Sequence, residues 1–344
     1  MRETLLVHGD SREELTYLED NICHGGVIDP PYEIGQAGAG WDRTGVAFSV
    51  PFWEQVLRVC RPGAHLAVFA HASKAHRVAC ALEDAGWEVR NTLMWVYATG
   101  MPMSKNASEC VDAALGTTAR RPIIGHAQYG DRTVPLTAGA TQEALLWEGY
   151  GTGLCPSYEP ILLVRKPLAE KTIGQNLLRW GAGALNVLSC MTESGQWPKD
   201  LVLSEDALDL LDTKHRPLFF CAKVAMQERE YGCEGLPLKS AEAITGRAEG
   251  SAGAANPRAG TGRSSARRNY HITVKPAKLL RWLTQLVAPP GALLLDPFMG
   301  SGSAGMAAVW EGLDYIGIEQ DAGHFRIAEA RIGAAATRPA PTWA

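Results

Sequence analysis

Several features that often reveal a protein's chemistry are missing from this sequence. Its eight cysteines are scattered along the chain with no Cys-x-x-Cys pair, so neither a zinc site nor a disulfide framework is predicted, and no metal is expected. No apolar run is long enough to cross a bilayer, and the chain opens on a strand-like run rather than a secretory signal. These absences predict a cytoplasmic protein with no membrane association.

The chain also lacks a large excess of charge of one sign. Its formal net charge is -4 over 344 residues, which does not indicate a general polyanion binder, so any contact with nucleic acid must come from a local basic surface. Between Gly250 and Leu295 there is no acidic residue, whereas arginine and lysine recur. This segment is consistent both with phosphate binding and with a solvated linker.

Short apolar strands alternate with helical stretches, a pattern typical of an α/β fold with a mostly parallel sheet covered on both faces. Strands are predicted at 5–8, 26–29, 66–70, 89–97, 158–165, 292–296 and 315–319, with a turn at 61–63. Helices are predicted near 12–18, 51–59, 74–84, 278–286 and 303–311, and a fragment near 206–211. A strand, glycine turn and helix that normally open such a domain come near the end here, so the sheet is predicted to be circularly permuted.

A stiff polar segment, Asp29-Pro30-Pro31-Tyr32, directly follows a predicted strand. Two prolines hold the backbone extended beyond the strand end. The Asp29 carboxylate and the Pro30 carbonyl are suited to accept hydrogen bonds from an exocyclic amine, and Tyr32 is suited to stack on a base that has left the duplex. A proline turn capped by aspartate is the alternative interpretation of these four residues.

A second candidate site follows the strand predicted at 292–296. Asp296 ends this strand, Gly300 and Gly302 allow close approach of a ligand to the backbone, and a helix begins near Ser303. The next strand ends at Glu319, where a carboxylate can bind both hydroxyls of a ribose. The lysine of a phosphate-binding loop is absent. The pattern therefore indicates a nucleoside site of another kind.

Taken together and in this order, these segments resemble the amino-methyltransferases of DNA in the permuted arrangement called the β class. His-Gly-Asp at 8–10, Asn-Tyr-His-Ile-Thr-Val-Lys-Pro at 269–276 and Asp-Pro-Phe-Met-Gly-Ser-Gly at 296–302 are similar to further motifs of that family. Segments within 95–105, 140–167 and 176–181 resemble a phage and prophage subgroup. The resemblance implies a Rossmann-like methyltransferase fold in which an inserted region recognises the target.

The resemblance also implies the reaction, transfer of a methyl group from S-adenosylmethionine to adenine N6 of a flipped base in double-stranded DNA. It places the enzyme in a bacterial cell or a phage-infected host, with a homodimer as one assembly of such proteins. Aspartate before Pro-Pro-Tyr favours adenine, whereas serine more often marks cytosine. Methylation of cytosine N4 is one alternative, and an inactive DNA-binding protein of the same fold is another.

Particular residues receive roles by the same resemblance. The target base is assigned to Asp29, Pro30, Pro31 and Tyr32. The cofactor is assigned to Asp10, Asp29, Thr273, Lys275, Asp296, Phe298, Met299, Gly300, Ser301, Gly302 and Glu319. Among these, Asp10 is expected near the adenine of the cofactor, Glu319 at its ribose, and Thr273 and Lys275 at its methionine carboxylate.

The chain divides accordingly into seven segments. These are a catalytic half (1–104), an insertion with a possible DNA contact (105–149), a strand of the sheet (150–167), a target-recognition region (168–231), a flexible linker rich in Gly, Ala and Arg (232–268), a cofactor-binding half (269–337) and a tail (338–344).

Overall fold

The computed structural model describes residues 3–35, 40–98, 104–129, 132–192, 194–212, 215–216, 220–221, 226–240, 244, 266–271 and 273–342. Residues 241–243 and 245–265 of the predicted linker lie outside this description. The chain forms two compact units, one of Met1–Tyr97 with Tyr158–Ala344 and one of Ala98–Ser157. Across the described ranges, no helix has the length and apolar character needed to cross a membrane.

The strands carry most of the regular architecture. They are β1 (Thr4–His8), β2 (Cys23–Ile28), β3 (Cys60–Phe69), β4 (Glu88–Val96), β5 (Ile123–Tyr129), β6 (Arg132–Thr137), β7 (Tyr158–Arg165), β8 (Leu201–Leu203), β9 (Phe220–Cys221), β10 (Leu293–Asp296) and β11 (Asp314–Glu319). In the described part of the larger unit, nine of them form one sheet in the order β1-β11-β10-β2-β3-β7-β4-β8-β9. The remaining two, β5 and β6, pair as an antiparallel hairpin in the smaller unit.

Strand direction decides which residues share an edge of the sheet. The pairs from β1 through β11, β10 and β2 to β3 are all parallel, whereas β7 runs antiparallel to both β3 and β4. Phe69, at the end of β3, therefore lies opposite Ile161, near the beginning of β7. The carboxyl ends of the parallel strands and the first residues of β7 consequently meet at one edge.

Helices of the larger unit cover its sheet on both faces. The described α-helices of the whole chain are α1 (Ser11–Glu14), α2 (Val50–Val59), α3 (Ala75–Asp84), α4 (Ala107–Ala114), α5 (Gln142–Leu145), α6 (Ile173–Trp180), α7 (Glu205–Leu208), α8 (Met226–Glu230), α9 (Ala277–Val287), α10 (Ser303–Trp310) and α11 (Ala322–Thr337), of which α4 and α5 belong to the smaller unit. Alternate residues of a strand face opposite sides. Ile28 accordingly packs in a core with Trp53 of α2, whereas Val27 packs in a second core with Leu283 of α9. This arrangement confirms the predicted α/β, Rossmann-like fold.

The sequence prediction was wrong about the turn at 61–63, because β3 already begins at Cys60. Cys60 pairs with Cys23, and pairing resumes between His65 and Gly25, so the extra residues form an irregularity inside the strand. Gly63 has a φ of 84° there. Lys166 lies just after β7. Its backbone amide donates to the carbonyl of Ala64 and its ammonium to the carbonyl of Cys60, and these bonds keep the segment in the sheet.

Candidate active site

A pocket opens at the edge of the sheet where the parallel strands end. Asp29 follows β2, Asp296 ends β10, Glu319 ends β11, and Asp10 follows β1; all four line the pocket. The neighbouring strands β2 and β10 are far apart in the chain, and the chain continues outward from them in opposite directions. Ligands bind at such reversal points in open α/β sheets because the loops there diverge and leave a crevice.

The structure brings nearly every predicted site residue to this pocket. Its lining includes Asp10, Asp29, Pro30, Pro31, Tyr32, Thr273, Lys275, Asp296, Phe298, Met299, Gly300, Ser301 and Glu319. Gly302 is absent from the lining and instead caps α10, with a φ of 77°. A β-carbon at Gly302 would lie 2.9 Å from the α-carbon of Ala328, so this glycine permits close packing against α11.

The carboxylate of Asp29 is bound by an ammonium group. The Lys275 Nζ lies 2.9 Å from Oδ1 and 2.8 Å from Oδ2 of Asp29. The resemblance had placed Lys275 at the methionine carboxylate of a cofactor. In the structure it contacts Asp29 and also lies 3.4 Å from Glu159.

The electrostatics of this cluster follow from burial. Loss of solvent raises the pKa of Asp29, and the charge of Lys275 acts in the opposite direction. Burial alone lowers the pKa of Lys275, but the carboxylates of Asp29 and Glu159 outweigh it and raise that pKa, so the ammonium stays charged. Burial also raises the pKa of Tyr32 well above its usual value, so its hydroxyl remains a hydrogen-bond donor.

The segment after Tyr32 is held by an acid that no motif predicted. Asp42 is 1% exposed, and its carboxylate accepts hydrogen bonds from the backbone amides of Glu33 (2.8 Å) and Ile34 (3.3 Å). Glu33 has a φ of 57°, a conformation that a non-glycine residue adopts only when its surroundings fix it. Asp42 therefore sets the direction in which the chain leaves the Pro-Pro-Tyr segment.

Glu319 and the glycine turn hold each other in place. The carboxylate of Glu319 accepts hydrogen bonds from the amides of Gly300 (2.8 Å) and Asp321 (2.7 Å). Burial nevertheless raises its pKa to about 7. Gly300 has a φ of 54°, and a β-carbon there would lie 2.9 Å from Nε2 of His271. A side chain at this position would thus collide with the wall of the pocket.

Asp296 lies beneath the same turn and is 3% exposed. One of its carboxylate oxygens accepts the amide of Phe298 at 3.0 Å, and the other accepts the hydroxyl of Tyr315 at 2.9 Å. Burial raises the pKa of Asp296 to about 7. Its hydrogen bonds order the segment that leads into the glycines.

A fully buried arginine supports the turn from behind. Arg331 of α11 donates to the Ser301 carbonyl at 2.6 Å and to the Ser303 hydroxyl at 3.0 Å. It also donates to the carbonyl of Glu228 at 3.1 Å. No role was predicted for Arg331 and Glu159, because each acts through contacts between distant parts of the chain, or for Asp42, because its bonds to the amides of Glu33 and Ile34 belong to an irregular loop with no sequence pattern.

Two predicted cofactor residues occupy the rim of the pocket. Asp10 caps α1 by accepting the amide of Arg12 at 2.9 Å, and it forms a 2.5 Å ion pair with the Arg12 guanidinium. Thr273 donates its amide to Nδ1 of His271 at 3.4 Å. The ring of His271 lies 6.5 Å from the ring of Trp41, nearly parallel to it.

The pocket has the parts that a nucleoside with an amino-acid tail requires. The side-chain-free surface at Gly300 forms a cradle that a β-carbon would fill. Glu319 presents a carboxylate beside it, and Trp41 adds a flat apolar ring to the lining. Among the described residues, no cluster of His, Cys, Asp and Glu is arranged to hold a metal ion. The donor set therefore fits S-adenosylmethionine.

Comparison with known proteins agrees with this architecture. The fold is the Rossmann-like fold of methyltransferases: the solved PvuII DNA methyltransferase, described as cytosine-N4-specific, superposes with a TM-score of 0.50. That match covers 95% of this chain and 87% of the PvuII enzyme at 13% identity. Residues 24–330 match the DNA methylase family model, whose name covers N6 and N4 methyltransferases. The chain belongs to this family, and its cofactor is S-adenosylmethionine.

Two curated relatives show the extent of the sequence similarity. The type II methyltransferase M.HindIII of Haemophilus influenzae is 25% identical over 279 residues, which cover 80% of this chain and 65% of that protein. The putative methylase YubD of Escherichia coli K12 is 42% identical over 65 residues, which cover 19% of this chain and 29% of that protein. The chain thus spans less than two thirds of the length of each.

Proposed function

We propose that this protein methylates adenine N6 in double-stranded DNA at a specific sequence, using S-adenosylmethionine. The observation that carries the proposal is the position of Asp29. Its carboxylate lies in the same pocket as the glycine turn at Gly300 and the acid Glu319, and Lys275 contacts both of its oxygens. A hydrogen-bond acceptor for an amine and a nucleoside cradle are thereby combined in one site.

The chain's own residues account for activation of a weakly nucleophilic amine. An Asp29 oxygen that accepts a hydrogen bond from Lys275 still has a free lone pair. This lone pair accepts one N–H of the target amine. The Pro30 carbonyl accepts the second N–H, so the nitrogen becomes tetrahedral and its own lone pair is free to attack. The nitrogen becomes positive as it accepts the methyl group and releases one proton afterwards. Tyr32 stacks on the flipped base. When bound, S-adenosylmethionine supplies an activated methyl group and a neutral thioether leaving group.

The remaining roles are part of the same proposal. Glu319 binds the ribose hydroxyls, Asp10 lies near the adenine of the cofactor, and Thr273 lies at its carboxylate end. The resemblance assigns Lys275 to that carboxylate as well, whereas in the structure its ammonium contacts Asp29 and Glu159. The segments on either side of β7, which include the smaller unit at 98–157, contact the DNA. Two copies of the chain on a symmetric site are one assembly that such an enzyme adopts.

Adenine is preferred to cytosine as the target because aspartate precedes Pro-Pro-Tyr, by resemblance to the N6 enzymes. The name of M.HindIII does not state a base, and that of the PvuII enzyme states cytosine N4 for that protein. Both bases present an exocyclic amine, so the mechanism is the same for either. The product of the reaction decides between them.

The test is transfer of labelled methyl groups to DNA of varied sequence, followed by digestion and nucleoside analysis. We expect N6-methyladenine from the natural chain and a loss on the order of 10³-fold in Asp29→Ala, because a preorganised acceptor at the reacting atom is removed. Asp84→Ala, which changes an exposed aspartate at the end of α3, is the matched control and should retain full activity. N4-methylcytosine as the product would overturn the assignment to adenine, and absence of any methylated base would overturn the function.

A further inference from the structure

Glu159 meets the catalytic segment, although no role was predicted for it from the sequence. It is the second residue of β7, the strand that enters the site edge in the reverse direction. Its Oε2 accepts the hydroxyl of Tyr32 at 2.5 Å and lies 3.4 Å from Nζ of Lys275. One carboxylate oxygen of Glu159 therefore contacts both Tyr32 and Lys275.

Lys275 joins the two acids into one bridge. An ammonium group has three hydrogens, and the Nζ of Lys275 lies within hydrogen-bond distance of both oxygens of Asp29. The third hydrogen has Glu159 as its neighbour. The Lys275 side chain is 7% exposed, and its ammonium lies 5.0 Å from the Tyr32 ring centre and 4.9 Å from that of Phe69, so water has little access to it.

The side chains of this bridge have an excess of negative charge, which matters for methyl transfer. Two carboxylates, Asp29 and Glu159, face one ammonium, Lys275. The cluster therefore carries one net negative charge where an amine nitrogen becomes positive as it accepts a methyl group. A fixed opposite charge in a site with little water stabilises that developing charge more than bulk solvent does.

We propose that Glu159 is a positioning residue for the transfer: it fixes the Tyr32 ring and the Lys275 ammonium, and so holds Asp29 in its accepting orientation. The proposal rests on the proposed function. Without Glu159, the Tyr32 hydroxyl loses the oxygen that accepts it at 2.5 Å, and the third Lys275 hydrogen loses its neighbour. The ammonium is then free to turn and to withdraw from Asp29.

Two substitutions separate the hydrogen bond from the charge. Glu159→Gln keeps an oxygen that accepts from Tyr32 but removes the negative charge, whereas Glu159→Ala removes both. We expect kcat to fall by roughly 10- to 100-fold in Glu159→Gln and further in Glu159→Ala, because a misplacement of about 1 Å at a reacting group costs about that much. The KM for DNA and the Kd for S-adenosylmethionine should stay within about threefold.

The matched control is Glu88→Gln. Glu88 contacts Arg165 at the opposite end of β7, with an N–O distance of 2.6 Å, so this variant removes an ion pair from the same strand without touching the site. Its kcat should equal that of the natural chain. An equal loss of kcat in Glu88→Gln and Glu159→Gln would assign the effect to strand stability and refute the positioning role, as would an unchanged kcat in Glu159→Ala.

A second measurement requires no activity. The Tyr32 hydroxyl proton, bound to a carboxylate, should give a downfield NMR resonance that is identified by its loss in Tyr32→Phe. We expect the resonance to move upfield in Glu159→Gln and to vanish in Glu159→Ala. If the natural chain methylates no DNA, the proposed function fails, yet this resonance still tests the contact. A resonance unaffected by either Glu159 variant would overturn the placement of Glu159.

Discussion

Replacement of Gly302 by alanine tests how the end of the cofactor turn is built. Gly302 has a φ of 77°, and an added β-carbon would lie 2.9 Å from the α-carbon and 3.0 Å from the β-carbon of Ala328. Ile332 would also be approached at 3.0 Å. Both neighbours belong to α11; the Ile332 contact is made by its Cδ1 atom, whereas the Ala328 contact includes backbone, which cannot yield as the end of a side chain can. The substitution therefore combines backbone strain with overpacking.

The two contributions are separated by a second glycine. Gly291 has a φ of 72°, but no atom would lie within 4 Å of an added β-carbon. Left-handed backbone costs an L-residue about 1–2 kcal/mol, which is all that Gly291→Ala should lose. Overpacking adds about 1–3 kcal/mol, so Gly302→Ala should lose about 2–5 kcal/mol.

The assay is urea unfolding followed by tryptophan fluorescence and circular dichroism, with the Kd for S-adenosylmethionine measured in parallel. Gly302→Ala should unfold at a clearly lower urea concentration than Gly291→Ala, and only Gly302→Ala should weaken cofactor binding. Equal losses of stability in the two variants would show that α11 does not press on the turn. The account of Gly302 given above would then be wrong.

Two further substitutions probe the support of the pocket. Burial raises the pKa of Asp296 from 3.8 to about 7, so its contribution to stability is full below about pH 4 and is lost as the pH rises to 7, by up to about 4 kcal/mol. Buried histidines such as His24 and His65, whose pKa values are lowered to about 4, act in the opposite direction, so the test compares two chains. Between pH 5 and pH 8 the free energy of unfolding of the natural chain should decrease relative to that of Asp296→Asn, and a difference that does not change with pH would contradict this. Arg331→Met removes the donor that bonds to the carbonyls of Ser301 and Glu228. The free energy of unfolding should decrease by about 2–4 kcal/mol, and cofactor binding should weaken. A decrease below about 0.5 kcal/mol would show that the turn does not depend on Arg331.

Much of the larger unit was predictable because its determinants are local. Strand β7 lies where its run of apolar residues predicted it, and Asp29 and Gly300 follow their strands directly in sequence, so both reach the edge at which parallel strands end. Helix α6 and strand β8 were not predicted, because the region around them lacks a clear period. The irregularity at Gly63 was misinterpreted as a turn, because the contacts that keep it in the sheet come from Lys166, more than a hundred residues away.

The direction of one strand explains why part of the site was not predicted. A parallel strand can present only its last residues at the edge of the pocket, and here those residues include the acids Asp29, Asp296 and Glu319. Only a reversed strand can place its first residues at that edge, and β7 does so with Glu159. Because β7 adjoins β3 rather than β2, Glu159 reaches Tyr32 and Lys275 from the side. The direction of one strand thus determines which acid completes the bridge to Asp29, and the sequence of a single segment does not reveal that contact.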